Sequence, residues 1–277
     1  MLVATIVSAA QAAAGLTPWQ AAVLGAIQGV SEPLPISSSA HLYVVPELLG
    51  WKYEGVAFDV ALHWGTLLAL VAAFWRDWLE LARGALAPGP AGGRARSIVL
   101  RLAAASVPGA VAGLLLEQAA EEHLRSLPLQ AAMLVVFGLL LWGVDRARRG
   151  GRAEDVPGWG VSLFVGVAQA LALVPGVSRS GITMTAARAA GMSRVSSARF
   201  SFLLATPITF GAGLLELRHL PHDVPGSTLA VGMITAAVVG LLTIKGLVHW
   251  LGRAGFGAFC AYRVALAGLI FARLALR

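Results

Sequence analysis

The chain has 277 residues, of which 57% are hydrophobic and only 13% are charged. Because ordinary soluble domains contain about 45–50% apolar and about 25% charged residues, this composition excludes a water-soluble protein and indicates one that lies in lipid. The formal net charge is +7, but most arginines fall between apolar runs, so we predict no nucleic-acid interface. The single cysteine, Cys260, lies in an apolar run and is predicted to be a packing residue.

Apolar runs and interrupted regions alternate along the chain. Regions 17–50 and 158–191 contain short apolar runs interrupted by Pro, Gly and Ser, which is typical of broken or re-entrant helices. Each is followed by three runs long enough to cross a bilayer, which requires about 17–25 mostly apolar residues. These six predicted spans are 57–75, 98–116, 128–144, 200–217, 227–248 and 258–275. No cleaved signal peptide is expected at 2–15, since a basic region is missing there.

The two interrupted regions resemble each other at an offset of 141 residues. LGAIQGVSEPLPISSSAH (24–41) aligns with VGVAQALALVPGVSRSGI (165–182), so that Gly25, Gln28, Ser37 and Ser39 match Gly166, Gln169, Ser178 and Ser180. Three crossings between the copies place them on opposite sides of the membrane, which predicts an inverted repeat. We therefore expect an all-α, polytopic membrane protein with six transmembrane helices and two re-entrant hairpins. It forms one domain over 1–277, with repeats at 1–144 and 145–277, and both hairpin tips contribute to a single site.

Basic residues predict the orientation of this membrane domain. The segments 76–96 and 145–155 each hold four arginines, whereas the segment between them is rich in glutamate at 117–122. Because loops rich in Lys and Arg stay on the cytoplasmic side, we expect the two arginine-rich segments to be cytoplasmic. The first hairpin then enters from outside and the second from the cytoplasm.

The first hairpin concentrates polar groups at a chain break. Gln28 and Glu32 lie one helical turn apart and so share a face, Pro33 and Pro35 break the helix, and Ser37, Ser38, Ser39 and His41 follow. The serines alone are also typical of a helix cap, and His41 alone of a headgroup contact. A buried carboxylate, however, requires a partner, and an ionisable group inside a membrane segment indicates function.

The second hairpin carries a basic counterpart. Pro175 and Gly176 break the helix ahead of Ser178, Arg179, Ser180 and Gly181. The N–H groups of a helix start bind anions, and the guanidinium fork of Arg179 suits phosphate oxygens. An arginine at a helix start is also typical of an interfacial anchor. Facing Glu32 and His41 across an inverted repeat, Arg179 is better interpreted as a phosphate ligand.

Asp59 and His63 lie one turn apart near the start of the first span. They suit a proton relay or a metal contact, but a polar helix end at the interface is the favoured interpretation. Arg188, Arg194 and Arg199 extend the basic region and are interpreted mainly as cytoplasmic charges.

QGVSE (28–32) with LPISSSAH (34–41), and PGVSRSG (175–181) followed by Thr183, resemble the two signature motifs of the undecaprenyl-diphosphate phosphatase family associated with bacitracin resistance. Two separate motifs in the right order make the resemblance specific, and it extends over essentially the whole chain. The family motif begins with Glu or Gln. Here it begins with Gln28, so the motif supplies one carboxylate, that of Glu32.

The resemblance implies hydrolysis of undecaprenyl diphosphate to undecaprenyl phosphate and inorganic phosphate, which returns the lipid carrier to peptidoglycan synthesis. It implies a bacterial inner-membrane enzyme with a site facing the periplasm and a divalent cation, Mg²⁺ or Ca²⁺, held with Glu32. A homodimer remains open. Residue by residue, it implies a catalytic set and a substrate-binding set. The catalytic set is Glu32, Ser38, His41 and Arg179. The substrate-binding set is Gln28, Ser37, Ser39, Ser178, Ser180 and Thr183.

Alternative activities are distinguished by residues or by experiment. A phosphohistidine phosphatase of the acid phosphatase type needs His and Asp at the places of Thr185 and Ala189, so it is rejected. A polyprenyl-phosphate transporter or flippase remains open, because inverted repeats with broken helices are common in transporters. The nucleophile also remains open between Ser38, activated by His41 or Glu32, and a water molecule.

Overall fold

A computed structural model describes residues 16–51, 56–124, 126–148, 150–216 and 224–276. The predicted absence of a signal peptide at 2–15 lies outside the described residues. The described chain is all helical, as predicted. Its helices are α1 (Pro18–Ser31), α2 (Ser38–Leu49), α3 (Val56–Ala73), α4 (Trp75–Leu86), α5 (Gly89–Leu124), α6 (Leu127–Ala147), α7 (Trp159–Gln169) with a 3₁₀ turn (Ala170–Leu173), α8 (Arg179–Ala189), α9 (Arg194–Glu216), α10 (Gly226–Leu251) and α11 (Gly257–Ala275).

The predicted spans correspond to helices of membrane-crossing length. By length and composition, α5, α6, α9, α10 and α11 suit a span, and the bent pair of α3 and α4 makes a sixth among the described residues. The segment 76–96, predicted to be a loop, is largely helical instead, because α4 extends to Leu86 and α5 begins at Gly89. Trp78 and Leu81, three residues apart, pack against the central core and hold α4 at 70° to α3.

Both interrupted regions form pairs of short helices, as predicted. The first is α1 and α2, and the second is α7 with its 3₁₀ turn and α8. The capping box of Thr17 and Gln20 starts α1, and the chain leaves α1 at Glu32, directly before Pro33. Gly176 (φ +94°) makes the corresponding break after the 3₁₀ turn. These breaks place two helix starts inside the molecule.

Each hairpin packs on a long helix from the other half of the chain. Helix α1 lies against α10, and α7 lies against α5. A Cβ at Gly25 would overlap the backbone of Gly232, and a Cβ at Gly166 would overlap that of Ala105. Gly25 and Gly166 are matching positions of the predicted repeat, and both allow close helix packing. The inverted orientation of the two halves stays a prediction.

The arginines interpreted as cytoplasmic charges are in fact paired. Arg188, which is 1% exposed, donates to Asp145 at 3.0 Å between Nε and Oδ1, and Arg194 donates to the same oxygen at 2.8 Å. Arg199 binds Asp77 at 2.6 Å and Asp155 at 2.9 Å. The Asp145 pairs join α6, α8 and α9 at one end of the bundle, and the Arg199 pairs join α9 to α4 and to the segment 145–155. They also place the two arginine-rich segments at that same end.

Candidate active site

Two serines in an unusual backbone conformation mark the hairpin tips. Ser37 (φ +73°) precedes α2 and Ser178 (φ +74°) precedes α8, and they are the non-glycine residues with positive φ in the described chain. Such conformations cost about 1–3 kcal/mol and cluster at functional sites. The hydroxyl of Ser178 caps α8 by accepting from Gly181 N at 3.1 Å. Matching positions of the two halves therefore hold the same strained geometry.

The two tips meet through Glu32. Arg179 Nη2 lies 2.5 Å from Glu32 Oε1, and Ser38 Oγ donates to Glu32 Oε2 at 2.5 Å. Glu32 is only 8% exposed, and the two partners supply the compensation that a buried carboxylate requires. Ser180 Oγ adds a direct bond between the tips, to Leu34 O at 2.9 Å. The expected meeting of both tips at one cluster is therefore observed.

His63 lies beside this cluster. Its Nε2 is 3.6 Å from Glu32 Oε2, and its Nδ1 is 2.7 Å from the carbonyl oxygen of Asp59. The carbonyl oxygen accepts a hydrogen bond from Nδ1–H, and in the protonated ring Nε2–H points to the Glu32 carboxylate. Asp59 and His63, for which an interfacial helix end was the favoured interpretation, both line the cavity described next. Their one-turn spacing near the start of a span was the available sequence signal.

A cavity of about 330 Å³ opens at the cluster. Its polar end is lined by Glu32, Ser37, Ser38, Ser39, Asp59, His63, Ser178 and Arg179. Its other wall is apolar apart from Gln169 and Thr209, and includes Gly109, Gly113, Ala172, Leu173, Ile208, Ala212 and Gly213. A cavity with one charged end and one apolar wall suits an amphiphilic ligand.

The other predicted site residues lie behind the cavity surface. His41 Nδ1 contacts Ser37 O and Nε2 contacts the Tyr262 hydroxyl, both at 2.7 Å. Thr183 bonds to Arg179 O and Ser201 Oγ, at 2.8 and 2.6 Å. These contacts stabilise the tips from within.

Gln28 and Ser180 are likewise buried and outside the cavity lining. Of the residues predicted to bind substrate, the structure therefore brings Ser37, Ser39 and Ser178 to the cavity and places Gln28, Ser180 and Thr183 elsewhere.

Arg263 is a buried residue of this region that sequence reasoning missed. It is 0% exposed and donates to Pro35 O on the first tip at 3.2 Å and to Gly176 O on the second tip at 2.8 Å. Further bonds reach the carbonyls of Val177 and Leu134. An arginine inside the apolar run 258–275, away from its ends, was the available signal, since such residues are costly in a membrane segment.

The carboxylates at the cavity suit a divalent cation only when substrate phosphates complete its coordination. Among the described residues, no group of three or more His, Cys, Asp or Glu side chains is arranged to hold a metal ion. Mg²⁺, however, is commonly bound by one or two carboxylates together with substrate phosphates. Glu32 and Asp59 both line the cavity, so they fit such a shared site.

The arrangement has the parts needed for phosphoryl transfer. Arg179 presents positive charge to the cavity, a hydroxyl donates its hydrogen bond to a carboxylate, and a helix start faces the same space. Fixed donors aimed at phosphoryl oxygens stabilise the charge of the transition state. A carboxylate bonded to a hydroxyl accepts the proton as the hydroxyl attacks.

Comparison with known proteins assigns a family. The family model described as "Bacitracin resistance protein BacA" matches residues 21–269. The undecaprenyl-diphosphatase of Moorella thermoacetica is 50% identical over 264 residues, which cover 95% of this chain and 100% of that protein. The undecaprenyl-diphosphatase of Gemmatimonas aurantiaca is 46% identical over 270 residues, with 95% and 100% covered. That of Pelotomaculum thermopropionicum is 46% identical over 255 residues, with 92% and 95% covered.

Proposed function

Since this chain belongs to the bacitracin resistance protein BacA family, we propose that it hydrolyses undecaprenyl diphosphate to undecaprenyl phosphate and inorganic phosphate. The observation that carries the proposal is the contact of Arg179, Glu32 and Ser38 at the polar end of the cavity. The relatives named undecaprenyl-diphosphatase support the same substrate. The reaction returns the lipid carrier to peptidoglycan synthesis and thereby confers resistance to bacitracin.

Arg179 and the start of α8 bind the terminal phosphate. Arginine has five N–H donors, so Arg179 keeps donors for phosphate oxygens while one contacts Glu32. The attacking oxygen forms a bond to the terminal phosphorus, and the bond from that phosphorus to the bridging oxygen breaks. The lipid monophosphate leaves with the electron pair. Arg179 stabilises the negative charge that spreads over the transferring group.

Glu32 accepts the proton of the attacking group. Its Oε2 lies 2.5 Å from Ser38 Oγ. This suits attack by Ser38, giving a phosphoserine that a water then hydrolyses to inorganic phosphate and free serine, or direct attack by a water that Ser38 and Glu32 hold. His63, 3.6 Å from the same carboxylate oxygen, is placed to orient it. His41 instead stabilises the backbone at Ser37, since its Nδ1 contacts the carbonyl oxygen of Ser37.

A divalent cation, Mg²⁺ or Ca²⁺, completes the proposed site. Glu32 and Asp59 would hold it together with the substrate phosphates, where it would neutralise phosphate charge.

The enzyme is proposed to lie in the bacterial inner membrane with its site facing the periplasm. Arg199 bonds to both Asp77 and Asp155, so the two arginine-rich segments share one end of the bundle. By the positive-inside rule that end is cytoplasmic. The two halves, inverted relative to each other, then bring one hairpin from each side to the site.

Phosphate release in detergent tests this function against transport. The purified protein with undecaprenyl diphosphate and Mg²⁺ is expected to release inorganic phosphate, and Glu32→Ala is expected to release none. A transporter or flippase that lacks phosphatase activity releases no phosphate. In detergent no membrane separates two compartments, so transport does not contribute to the measurement. Absence of release from wild-type protein that binds the lipid would therefore favour transport.

A further inference from the structure

Gln169 is a buried amide with unmet hydrogen bonds at the cavity. It is 3% exposed and lines the cavity, yet within the described chain neither Oε1 nor Nε2 has a hydrogen-bond partner. Leaving buried polar groups unpaired costs about 1–3 kcal/mol for each group. An unpaired amide that faces a cavity is therefore positioned for a ligand.

Gly109 lets the amide pack closely against α5, and a Cβ at Gly113 would meet no atom within 4 Å. A Cβ added to Gly109 on α5 would lie 3.0 Å from Gln169 Nε2 and 2.8 Å from the end of Ile208. Gly113, one turn further along α5, lines the same cavity opposite Ala212 of α9. The cavity thus continues from Gln169 along an apolar passage between α5 and α9.

The outer ends of this passage are apolar. Leu114 on α5 is 66% exposed, and Phe210 and Leu214 on α9 are 50% and 55% exposed. In a chain of this composition such surfaces face lipid tails. A diphosphate bound at Arg179 therefore has a route for its hydrocarbon chain from the cavity into the bilayer. Gln169 lies between the polar end of the cavity and this apolar route.

We propose that Gln169 binds the phosphate next to the polyprenyl chain, the one that stays on the lipid after hydrolysis. Arg179 binds the terminal phosphate, and the passage beside Gly109 and Gly113 holds the first isoprene units. A neutral amide suits the retained phosphate, because it donates hydrogen bonds without adding a charge that would hold the product. This inference rests on the proposed function and adds a second phosphate subsite to it.

Two probes separate the two subsites without turnover. Farnesyl monophosphate carries only the lipid-linked phosphate, whereas inorganic phosphate occupies the terminal subsite. Affinities of both are measured by calorimetry for purified protein in detergent. Gln169→Met keeps the volume and removes the amide, so it is expected to weaken farnesyl monophosphate about 10-fold and to leave the affinity for inorganic phosphate within about 2-fold. Equal weakening of both probes, or of neither, would overturn the assignment.

Gln130→Met is the matched control. Gln130 is 1% exposed and its Oε1 also lacks a partner in the described chain, but it lies on α6 outside the cavity lining. This variant is expected to bind both probes as wild type does. If it lowers the affinity for farnesyl monophosphate as much as Gln169→Met does, removal of any buried amide has this effect and the proposal fails.

A second variant covers the case in which Gln169→Met does not fold. Gly109→Ala places a methyl group against the amide and is expected to weaken farnesyl monophosphate selectively, by about 10-fold. Unchanged affinity in a folded Gly109→Ala protein would contradict the proposal. If wild-type protein binds both probes but releases no phosphate from the diphosphate, the proposed function fails. The subsite assignment is then decided by the binding data alone.

Discussion

Arg179 and Glu32 lie 147 residues apart in the chain, and their side chains meet at 2.5 Å between Nη2 and Oε1. Each belongs to a different broken hairpin, so the contact exists only when both hairpins are in place. Both side chains are mostly buried, at 18% and 9% exposed. A buried pair of this kind depends on each partner for compensation of the other's charge. Folding and site formation are therefore the same event here.

Removing one charge of this pair is expected to affect both stability and activity. Glu32→Gln and Arg179→Gln should each lower the free energy of unfolding by about 3–5 kcal/mol, because one buried charge loses its partner. The double variant should recover part of that stability, while all three variants lose phosphate release by more than about 100-fold. Thermal unfolding in detergent and a phosphate assay measure these effects.

Arg199→Gln serves as the control for that comparison. It also breaks ion pairs, with Asp77 and Asp155, but outside the cavity lining. It should cost less than about 1 kcal/mol, since pairs near the surface contribute little, and it should keep activity. A double variant no more stable than either single variant would show that the pair does not govern stability.

Ser38→Ala is expected to reduce phosphate release at least about 100-fold. The hydroxyl lies 2.5 Å from Glu32 Oε2, so its loss removes either the nucleophile or a group that holds the attacking water. Rapid quenching of wild-type protein with labelled substrate then distinguishes the two, since only attack by serine gives a phosphoserine. Ser162→Ala removes a buried hydroxyl bound to Pro157 O and should stay active. Full activity of Ser38→Ala would sink the assignment.

The two histidines are expected to respond differently to substitution. His63→Ala should lower kcat about 10–100-fold with little change in stability, because His63 faces the cavity and orients Glu32. His41→Ala should lower the free energy of unfolding by about 1–3 kcal/mol, because Ser37 O and the Tyr262 hydroxyl lose their partner. Steady-state kinetics and thermal unfolding measure the difference. Wild-type kinetics in His63→Ala would exclude the orienting role.

Arg263→Met is expected to lower the free energy of unfolding by about 3–5 kcal/mol, because several buried carbonyls lose their donor. Arg263→Lys should recover little of this, since an ammonium lacks the planar fork that reaches both hairpin tips. Arg273→Met, on the exposed part of the same helix, should leave the unfolding temperature unchanged. Thermal unfolding is the measurement, and equal stability of the Lys variant and wild type would contradict the bridging role.

Chelation of divalent cations is expected to abolish phosphate release, and added Mg²⁺ to restore it. Because the described residues form no cluster of three or more metal-ligating side chains, Mg²⁺ should bind the free protein only weakly, with a Kd of about 1 mM or higher. Binding should tighten when farnesyl diphosphate is present. Calorimetry with and without that lipid measures this. Tight Mg²⁺ binding to the free protein would contradict a cation site that is shared with the substrate phosphates.

Much of the fold was accessible from the sequence because its signals are local. The Pro, Gly and Ser interruptions at 17–50 and 158–191 predicted both hairpins, and apolar length predicted the spans. The bend between α3 and α4 was missed, since it depends on Trp78 and Leu81 packing against a distant core. The ion pairs of Arg188 and Arg194 were missed because their partner Asp145 lies more than 40 residues away in the chain.

The sequence by itself determined the membrane class, the two chain breaks and the types of residue that gather at them. These follow from hydropathy and from residues that break helices within a few positions. Only the tertiary structure decided which polar residues face the cavity: it brings His63 and Gln169 there, while His41, Gln28, Ser180 and Thr183 lie behind it. The physical reason is that a residue's direction at a helix break depends on how the break packs against helices far away in the chain, and no local pattern records that packing.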